Sequence, residues 1–401
     1  MEVYVAGCTG QSALFDAWLR ERPEASAGVR YTGVFIPGAN RTDYAALHPE
    51  ARMRSLFLAP EFRASFVAGR VEFMPQSYSA AWDWLSSQRF DLVLVQCAPR
   101  QQDHYSLGMA CDFTPAVLAQ AGCIAVHANP AMPSSAGPAI AAERVDYLAD
   151  VELPLLRYDA GPVDAALRAV GARVAQLIPE GATLQFGLGR LQTAVLEALD
   201  QRGDLRVHSG MISDPLLAAH ARGVFAPDGS DAPPITCGVA LGSEDLYRFA
   251  ASARHVAFAP VGHTHAQRTL SAIPRLHSIN SVLEVDLYGQ VNGEYLDGQL
   301  VSGAGGLSDF VRGARDAPEG RAILALGATA RAGTRSRIVP RLTSPSVSLS
   351  RYDADLIVTE FGVADLADAD LDRRAAALIA IAAPDHRQAL QQAWQQGRSA
   401  L

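Results

Sequence analysis

The sequence contains no lysine, because all 34 of its basic residues are arginine. Chemistry that depends on a lysine amine is therefore excluded, including a Schiff base with a carbonyl substrate, a pyridoxal phosphate anchor and a P-loop. Any phosphate group bound by this chain must be held by arginine, by backbone N–H groups or by the N-terminus of a helix.

Cysteine is also scarce, with five residues in 401 and no CxxC spacing. An odd number without pairing argues against a disulfide framework and against structural zinc. No uncharged apolar run reaches the roughly 18 residues of a membrane-spanning helix, so no membrane insertion is expected. The opening MEVYVAGCTG lacks the basic segment and apolar core of a secretory signal. These features predict a protein of the reducing cytoplasm.

Basic charge is in deficit, with 34 basic against 42 acidic residues and a net charge of −8. This balance disfavours partners such as nucleic acid or an anionic membrane, although a local arginine cluster can still hold a small anion. A hydrophobic content of 49% is typical of a packed globular protein. A chain of 401 residues is too long for one core and predicts two domains.

Short apolar runs alternate with longer amphipathic segments along the chain. Strands are predicted at Val3–Ala6, Tyr31–Ile36, Leu92–Cys97, Cys123–His127, Ala182–Phe186, Val207–Ser209, His255–Ala259, Ala322–Leu326 and Leu356–Thr359. Helices are predicted at Ser12–Glu21, Ser79–Gln88, Pro115–Ala121, Pro162–Leu177, Leu191–Arg202, Pro215–Ala221, Glu244–Ala251 and Leu371–Ala380. The alternation favours an α/β fold with open, mostly parallel sheets covered by helices.

A change in composition at Asp159–Pro162 predicts the boundary between an N-terminal α/β domain, residues 1–160, and a C-terminal domain, residues 161–401. The loop-rich segment Ala226–Pro234 is interpreted as a surface insertion. The tail Pro384–Leu401 is polar and rich in glutamine, which predicts a peripheral helix.

Three short patterns suggest familiar chemistry but do not complete it. Gly187 and Gly189 stand between a predicted strand and a helix, yet the third glycine of a dinucleotide fingerprint is missing, so they form either a ligand-facing turn or an ordinary tight turn. His208, Ser209 and Asp214 lack the elbow motif of a serine hydrolase.

A metal site is equally unsupported. His263 and His265 would share one face of a strand, but no cysteine or glutamate nearby completes a ligand set.

The segment Ser278–Arg312 is the most informative part of the chain. An alternating apolar strand pattern carries one carboxylate, Glu284, in its middle, and the glycine-rich turn Ser302–Gly306 follows. A carboxylate in an apolar strand is either paired for structure or functional. The carboxylate can attack a carbonyl, and backbone N–H groups of the turn can bind the resulting oxyanion. Glu360 is a second carboxylate, at the end of a predicted strand where ligands bind in open sheets.

The motifs around these residues resemble the acetyl-CoA hydrolase/transferase family. The similar segments follow one another in family order: Asp91–Thr114, His127–Gly137, Leu184–Leu199, His208–Asp214, Ala240–Phe249, Ile279–Glu294, Ser302–Ala314, Ala328–Leu342 and Val358–Leu366. The sequence departs from the family at Ala131–Ser134 and at Ala259–His265, and both departures bear on acyl specificity.

The resemblance implies two α/β domains of the CoA-transferase type, with the active site between them. Glu284 would be the nucleophile, Gly305 and Gly306 would line the thioester carbonyl, and Glu360 would lie in or near the site. The substrates would be acyl-CoA and small carboxylic acids, with coenzyme A as a substrate and no prosthetic group. We also expect a homo-oligomer, either a dimer or a tetramer.

Other residues are predicted to bind the substrates. Arg312, Arg335 and Arg337 near the glycine turn are candidates for the CoA phosphates, the alternative being a solvated basic face. Gly187, Gly189 and Gly303 are further candidates for the CoA side of the site. Arg41 could hold the distal carboxylate of a dicarboxylic acyl group, and Asn280 is a second candidate on the substrate side.

The expected reaction is a ping-pong transfer of CoA through a thioester on Glu284. Two alternatives stay open at this point. Water could replace the acceptor acid, which would give an acyl-CoA hydrolase. The chain could also bind CoA as a regulatory protein without turnover.

Overall fold

The computed structural model describes residues 1–200, 203–226 and 233–398. Two large sheets with helices packed on their faces form the molecule, which confirms the predicted α/β class with mostly parallel sheets. The predicted insertion at 226–234 and the ends of the predicted helices at 202 and 401 lie wholly or partly outside the described residues.

The first sheet is built from residues before the predicted domain boundary. The elements of this half are β1 Glu2–Val5, α1 Ala13–Glu21, β2 Arg30–Gly33, β3 Arg52–Ser55, α2 Arg63–Val67, β4 Val71–Phe73, α3 Tyr78–Ser87, β5 Phe90–Cys97, β6 His104–Ser106, α4 Thr114–Leu118, β7 Ala121–Ala128, β8 Ala139–Ala141 and β9 Tyr147–Asp150. The sheet has seven parallel strands in the order β4-β3-β2-β1-β5-β7-β9.

The second half carries the larger sheet and several short hairpins. Up to the last long strand of this half its elements are α5 Ala165–Gln176, β10 Thr183–Phe186, α6 Arg190–Ala198, β11 Arg206–Ile212, α7 Pro215–Ala221, β12 Ile235–Ala240, α8 Glu244–Ala250, β13 Val256–Phe258, α9 Val261–Thr264, α10 Gln267–Leu270, β14 Leu276–Ser281, β15 Glu284–Asp286, β16 Val291–Asn292, β17 Tyr295–Leu296, β18 Gln299–Leu300, α11 Leu307–Asp316, β19 Arg321–Ala325, β20 Thr329–Ala330, β21 Arg335–Ser336, β22 Ile338–Val339 and β23 Leu356–Thr359. The chain then continues through β24 Gly362–Asp365, α12 Leu371–Ile381 and α13 Pro384–Arg398.

The larger sheet has eight strands in the order β13-β12-β11-β10-β14-β19-β23-β24. All neighbours are parallel except β24, which pairs antiparallel with β23 at the edge. The strand order reverses direction between β10 and β14. In open α/β sheets such a reversal leaves a crevice at the carboxyl ends of the two strands, and ligands bind there.

The strand predicted around Glu284 is interrupted, so the expectation of a carboxylate in the middle of one strand was wrong. β14 ends at Ser281 inside the large sheet, and β15 begins at Glu284 in a separate three-stranded sheet between β16 and β22. The break lets Glu284 leave the apolar interior of the large sheet.

His263 and His265 also lie in a different element from the one expected. They belong to the short helix α9 and its C-terminal cap rather than to a strand.

The two halves share a hydrophobic core. One buried cluster contains side chains of both sheets, among them Tyr4 and Val95 from the first and Leu184 and Ile279 from the second. A smaller cluster lies behind β15 and α11 and includes Trp394 of α13. No helix within the described ranges is both long enough and apolar enough to cross a bilayer.

Candidate active site

A cavity of about 350 Å³ opens where the two halves meet. Gln185 and Phe186 from the end of β10 and Asn280 and Ser281 from the end of β14 contribute to its wall, so the cavity occupies the crevice where the strand order reverses. The first half contributes Ile36, Pro37, Phe57 and Tyr78. The glycine turn Ser302–Gly306 closes another side.

Glu284 is not among the residues that line this cavity, but it lies close to two of them along the chain and across the β15–β16 pair. It follows Ser281 by three residues and pairs in β15 with Asn292, the neighbour of the lining residue Gly293. Its side chain is 13% exposed. Arg335 donates a hydrogen bond from Nη2 to Oε1 at 2.6 Å, and Asn292 donates from Nδ2 to Oε2 at 3.3 Å. The carboxylate is therefore oriented by one cation and one amide.

Asn292 is held in place by its own turn. Its Oδ1 accepts the backbone N–H groups of Glu294 and Tyr295, at 3.1 and 2.9 Å, and its side chain is buried. Asn292 was not predicted from the sequence. The available signal was the dipeptide Asn292–Gly293, because an asparagine in a turn commonly bonds to backbone groups two positions on.

Arg335 divides its guanidinium between two carboxylates. Besides Glu284, it donates from Nη1 to Oδ1 of Asp297 at 2.5 Å, and Arg331 donates to the other oxygen of Asp297 at 2.9 Å. These contacts join the β17–β18 hairpin to the β20–β21 hairpin. The negative charge of Glu284, followed by the hydrogen bonds, raises the pKa of Arg335 above its ordinary value. Asp297 has a lowered pKa, chiefly because Arg331 donates a hydrogen bond to it.

The glycine turn leads directly into α11, whose first turn faces the cavity through Gly306 and Leu307. The first N–H groups of a helix have no intrahelical acceptor and carry partial positive charge. Gly305 adopts φ 57°, a conformation that favours glycine. A Cβ on Gly303 would lie 2.3 Å from the carbonyl oxygen of Leu56, so this glycine permits close approach of the two halves.

His265 lies directly behind Gly306 and is buried. Its ring packs against Tyr78 and Phe310, with ring centroids 4.9 and 4.5 Å apart, and its Nδ1 is 2.9 Å from Oγ1 of Thr264. Burial lowers the pKa of His265 to about 3. The imidazole is therefore neutral at physiological pH and shapes the wall beneath the glycine turn.

Side-chain amides occupy the wall opposite the turn. Asn280 donates from Nδ2 to Oε1 of Gln185 at 3.0 Å across the adjacent strands β14 and β10. Gly187 lines the cavity, whereas Gly189 caps α6 with φ 122° and does not line it. Gln192 of α6 also lines the cavity. The structure thus brings Asn280 and Gly187 to the same cavity as Gly303, Gly305 and Gly306.

Glu360 directly follows β23, as the sequence predicted. Its Oε2 accepts the backbone N–H of Ala328 at 2.8 Å. The carbonyl of Ala328 accepts the N–H of Arg337, and the carbonyl of Arg337 accepts the N–H of Val285, both at 2.9 Å. Glu360 is thus linked through two backbone segments to the residue after Glu284.

The other arginines predicted to bind substrates have different positions. The backbone of Arg337 belongs to the chain of hydrogen bonds that links Glu360 to Val285. Arg312 lines a separate cavity between α3 and α11 and pairs with Asp353 at 3.4 Å. Arg41 is 70% exposed and pairs with Glu61 at 3.7 Å. Arg41 and Arg312 do not line the cavity between the sheets, and neither do the charged candidates Glu284, Arg335, Arg337 and Glu360.

Within the described parts of the chain, no group of three or more histidine, cysteine, aspartate or glutamate side chains is arranged to hold a metal ion. The site's polar chemistry consists of carboxylates, amides, a guanidinium and backbone N–H groups. This set suits a reaction in which a carboxylate attacks a carbonyl.

Comparison with known proteins agrees with this chemistry. Residues 242–394 match the acetyl-CoA hydrolase/transferase C-terminal domain. The 4-hydroxybutyrate coenzyme A transferase of Clostridium kluyveri is 33% identical over 346 residues, which are 84% of this chain and 81% of that protein. RipA from Yersinia pestis superposes with a TM-score of 0.90 at 26% identity, covering 99% of this chain and 94% of RipA. The 4-hydroxybutyrate CoA-transferase from Porphyromonas gingivalis gives a TM-score of 0.81 at 27% identity, covering 99% and 93% of the two chains.

The fold and the relatives identify an enzyme of the CoA-transferase class. The chain belongs to the acetyl-CoA hydrolase/transferase family, which confirms the resemblance seen in its motifs.

Proposed function

We propose that this enzyme moves CoA from a short-chain acyl-CoA to a carboxylic acid through a thioester on Glu284. The observation that carries the proposal is the largely enclosed Glu284 carboxylate, which Arg335 and Asn292 orient. The relatives named as CoA-transferases support the overall exchange between acyl-CoA and acids.

The reaction would begin with attack of a Glu284 oxygen on the thioester carbonyl. The C–S bond breaks, which gives an acyl-glutamyl anhydride and CoA thiolate. The thiolate then attacks the glutamyl carbonyl, and the carboxylic acid leaves as its anion. An acceptor carboxylate reverses both steps. No proton is transferred, so the neutral His265 is compatible with the route.

The glycine turn would stabilise the oxyanions of these steps. Backbone N–H groups of Gly305 and Gly306 stand at the positive end of α11, beside the cavity. Loss of one such donor typically costs about 3–4 kcal/mol of transition-state stabilisation. Glu360 would act one step away, by fixing the backbone that precedes β22 and supports β15.

Several predictions from the sequence remain proposals. We retain Gly187, Gly189, Gly303, Arg312 and Arg337 as candidates for the CoA side. Arg41 remains a candidate for a distal substrate carboxylate, and Asn280 remains one for the acyl side. A domain boundary at 160/161, a cytoplasmic location and a homo-oligomeric state are likewise predictions.

Trapping the covalent intermediate tests the proposal. The enzyme is incubated with acetyl-CoA, propionyl-CoA or butyryl-CoA without acceptor and analysed by intact and peptide mass spectrometry. We expect the mass of CoA, less water, on the peptide that contains Glu284. Glu284→Gln should carry no adduct, whereas the matched carboxylate-to-amide variant Glu360→Gln should still carry it on Glu284.

Repeating the incubations with and without added carboxylates distinguishes the transferase from the two alternatives. A hydrolase would release free CoA at the same rate with and without added carboxylates, while a transferase would form new acyl-CoA only when an acid is added. A protein without turnover would acquire no adduct at all. Equal exchange rates in Glu284→Gln and the parent would overturn the proposal.

A further inference from the structure

Arg335 has a contact whose strength must change during the proposed reaction. In the resting enzyme its Nη2 lies 2.6 Å from Oε1 of Glu284, and the charge of Glu284 is the main cause of its raised pKa. The Arg335 side chain is 38% exposed, whereas that of Glu284 is 13% exposed. The guanidinium therefore reaches from solvent toward a largely enclosed carboxylate.

Formation of the glutamyl-CoA thioester removes the negative charge of Glu284. A neutral thioester oxygen is a weaker partner for a guanidinium than a carboxylate, because the Coulomb attraction between opposite charges is lost. Arg335 keeps its second contact, with Oδ1 of Asp297 at 2.5 Å. Asp297 is in turn held by Arg331. The guanidinium of Arg335 therefore stays beside Glu284, and its Nη2 has lost its charged acceptor.

We infer that Arg335 is the binding site for the carboxylate of the acceptor acid, and that this site opens only when Glu284 carries CoA. The inference rests on the proposed function and adds the acceptor to it. In the resting state the carboxylate of Glu284 is paired with the guanidinium of Arg335. In the thioester state an incoming carboxylate replaces it, within reach of the glutamyl carbonyl. The sequence suggested Arg335 as a contact for CoA phosphates, and its position against Glu284 favours this different role.

The step is balanced without any added reactant. One oxygen of the acceptor carboxylate forms a bond to the glutamyl carbon, the C–S bond breaks, and CoA leaves as thiolate. The negative charge passes from the acid to the thiolate. When the thiolate then attacks the acyl carbon, the anhydride C–O bond breaks and Glu284 regains its carboxylate. Arg335 can then return to it, which displaces any remaining acid and readies the nucleophile.

The test uses the isolated thioester and two kinds of acceptor. Parent and Arg335→Gln enzymes are loaded with CoA from acetyl-CoA and freed of excess substrate. The discharge of the adduct is then followed with acetate or propionate, and separately with hydroxylamine. Hydroxylamine is neutral, attacks the same carbonyl and leaves a hydroxamate on Glu284. We expect Arg335→Gln to raise the carboxylate concentration for half-maximal discharge about 10- to 100-fold, with hydroxylamine discharge changed little.

Arg248→Gln is the matched control, because Arg248 is 74% exposed and pairs with Asp245 on the same helix, α8. It should leave both discharges close to those of the parent. Equal slowing of carboxylate and hydroxylamine discharge in Arg335→Gln would overturn the inference, as would no change in either. Absence of any adduct in the parent would instead refute the proposed function.

A second measurement needs only the parent enzyme. The acid concentration for half-maximal discharge of the thioester is compared with the inhibition constant of the same acid against thioester formation on the resting enzyme. We expect the first to be lower by about tenfold or more, within the usual range for coupled sites. Equal values would show that Glu284 does not compete for the acceptor site, and would overturn the inference even if Arg335→Gln cannot be loaded.

Discussion

Asp309, in the first turn of α11, accepts two hydrogen bonds from Ser79 of α3, which lies 230 residues earlier in the chain. The backbone N–H of Ser79 is 3.1 Å from Oδ2, and its hydroxyl is 2.5 Å from Oδ1. Both side chains lie just beyond the glycine turn. The contact therefore fixes the helix that carries this turn to the first half of the molecule.

We expect Asp309→Ala to loosen this connection. The change leaves the partly buried N–H of Ser79 without its acceptor, which typically costs about 1–3 kcal/mol. Ser79→Ala removes only the hydroxyl and should cost less. Denaturant unfolding of both single variants and the double variant should give a coupling energy of about 0.5–3 kcal/mol. Strict additivity would contradict a direct contact, and unchanged kcat in Asp309→Ala would show that the turn does not depend on it.

Gly306→Ala should disable the glycine turn and destabilise the fold by about 1–3 kcal/mol. The new Cβ would lie 2.5 Å from Nε2 of His265, whose ring is confined by Tyr78 and Phe310 and cannot move aside. The turn must shift instead, and kcat should fall about 100-fold or more, as when an oxyanion donor is lost. Gly397→Ala, within α13, is the matched control and should keep parental activity. Parental kcat in Gly306→Ala would remove this turn from the mechanism.

Substitutions of Glu360 should separate a positioning role from a role of charge. Glu360→Gln keeps an oxygen that can accept the N–H of Ala328, whereas Glu360→Ala does not. If the residue acts by holding the backbone toward Val285, kcat should fall about 10- to 100-fold in the alanine variant and little in the glutamine variant. Steady-state kinetics of both variants decide the matter. Equal losses would indicate that the negative charge itself is needed.

The buried carboxyl group of Asp112 predicts a pH dependence of the free energy of unfolding. Burial raises the pKa of its carboxyl group to about 6, above the value of about 3.9 expected in the unfolded chain. Between these values the folded state holds a proton that the unfolded state has released, so this contribution is full below about pH 4 and is lost as the pH rises through 6.

Asp112→Asn should therefore gain stability relative to the parent as the pH increases. We expect the difference in unfolding free energy to grow by about 2–3 kcal/mol between pH 4 and pH 7.5. Denaturant unfolding across that range measures it. A difference that is constant with pH would show that Asp112 titrates normally in the folded protein.

Local pattern was enough to predict much of the architecture. The strand at Leu356–Thr359 has the predicted bounds, and helices such as α5 and α7 begin and end within a few residues of the prediction. These elements have clear apolar periodicity and recognisable ends. The glycine turn and the carboxylates Glu284 and Glu360 could be singled out for a similar reason, because their residue types are unusual in their surroundings.

The break between β14 and β15 could not be read from the sequence. The apolar alternation continues through it, and the break is decided by partners far along the chain: β14 pairs with β10 and β19, whereas β15 pairs with β22. The contact between Arg335 and Glu284 spans 51 residues and depends on how two hairpins meet. Long-range pairing of this kind has no local signature.

The absence of lysine has a consequence at the contact between Arg335 and Glu284. Anhydrides and thioesters acylate amines, and on the proposed route both would form on Glu284, beside the cation that orients it. A primary amine at 2.6 Å would capture the activated carbonyl as a permanent amide. A guanidinium stays protonated at neutral pH and does not react in this way. On the proposed route, arginine at position 335 would therefore protect the enzyme from inactivating itself during turnover.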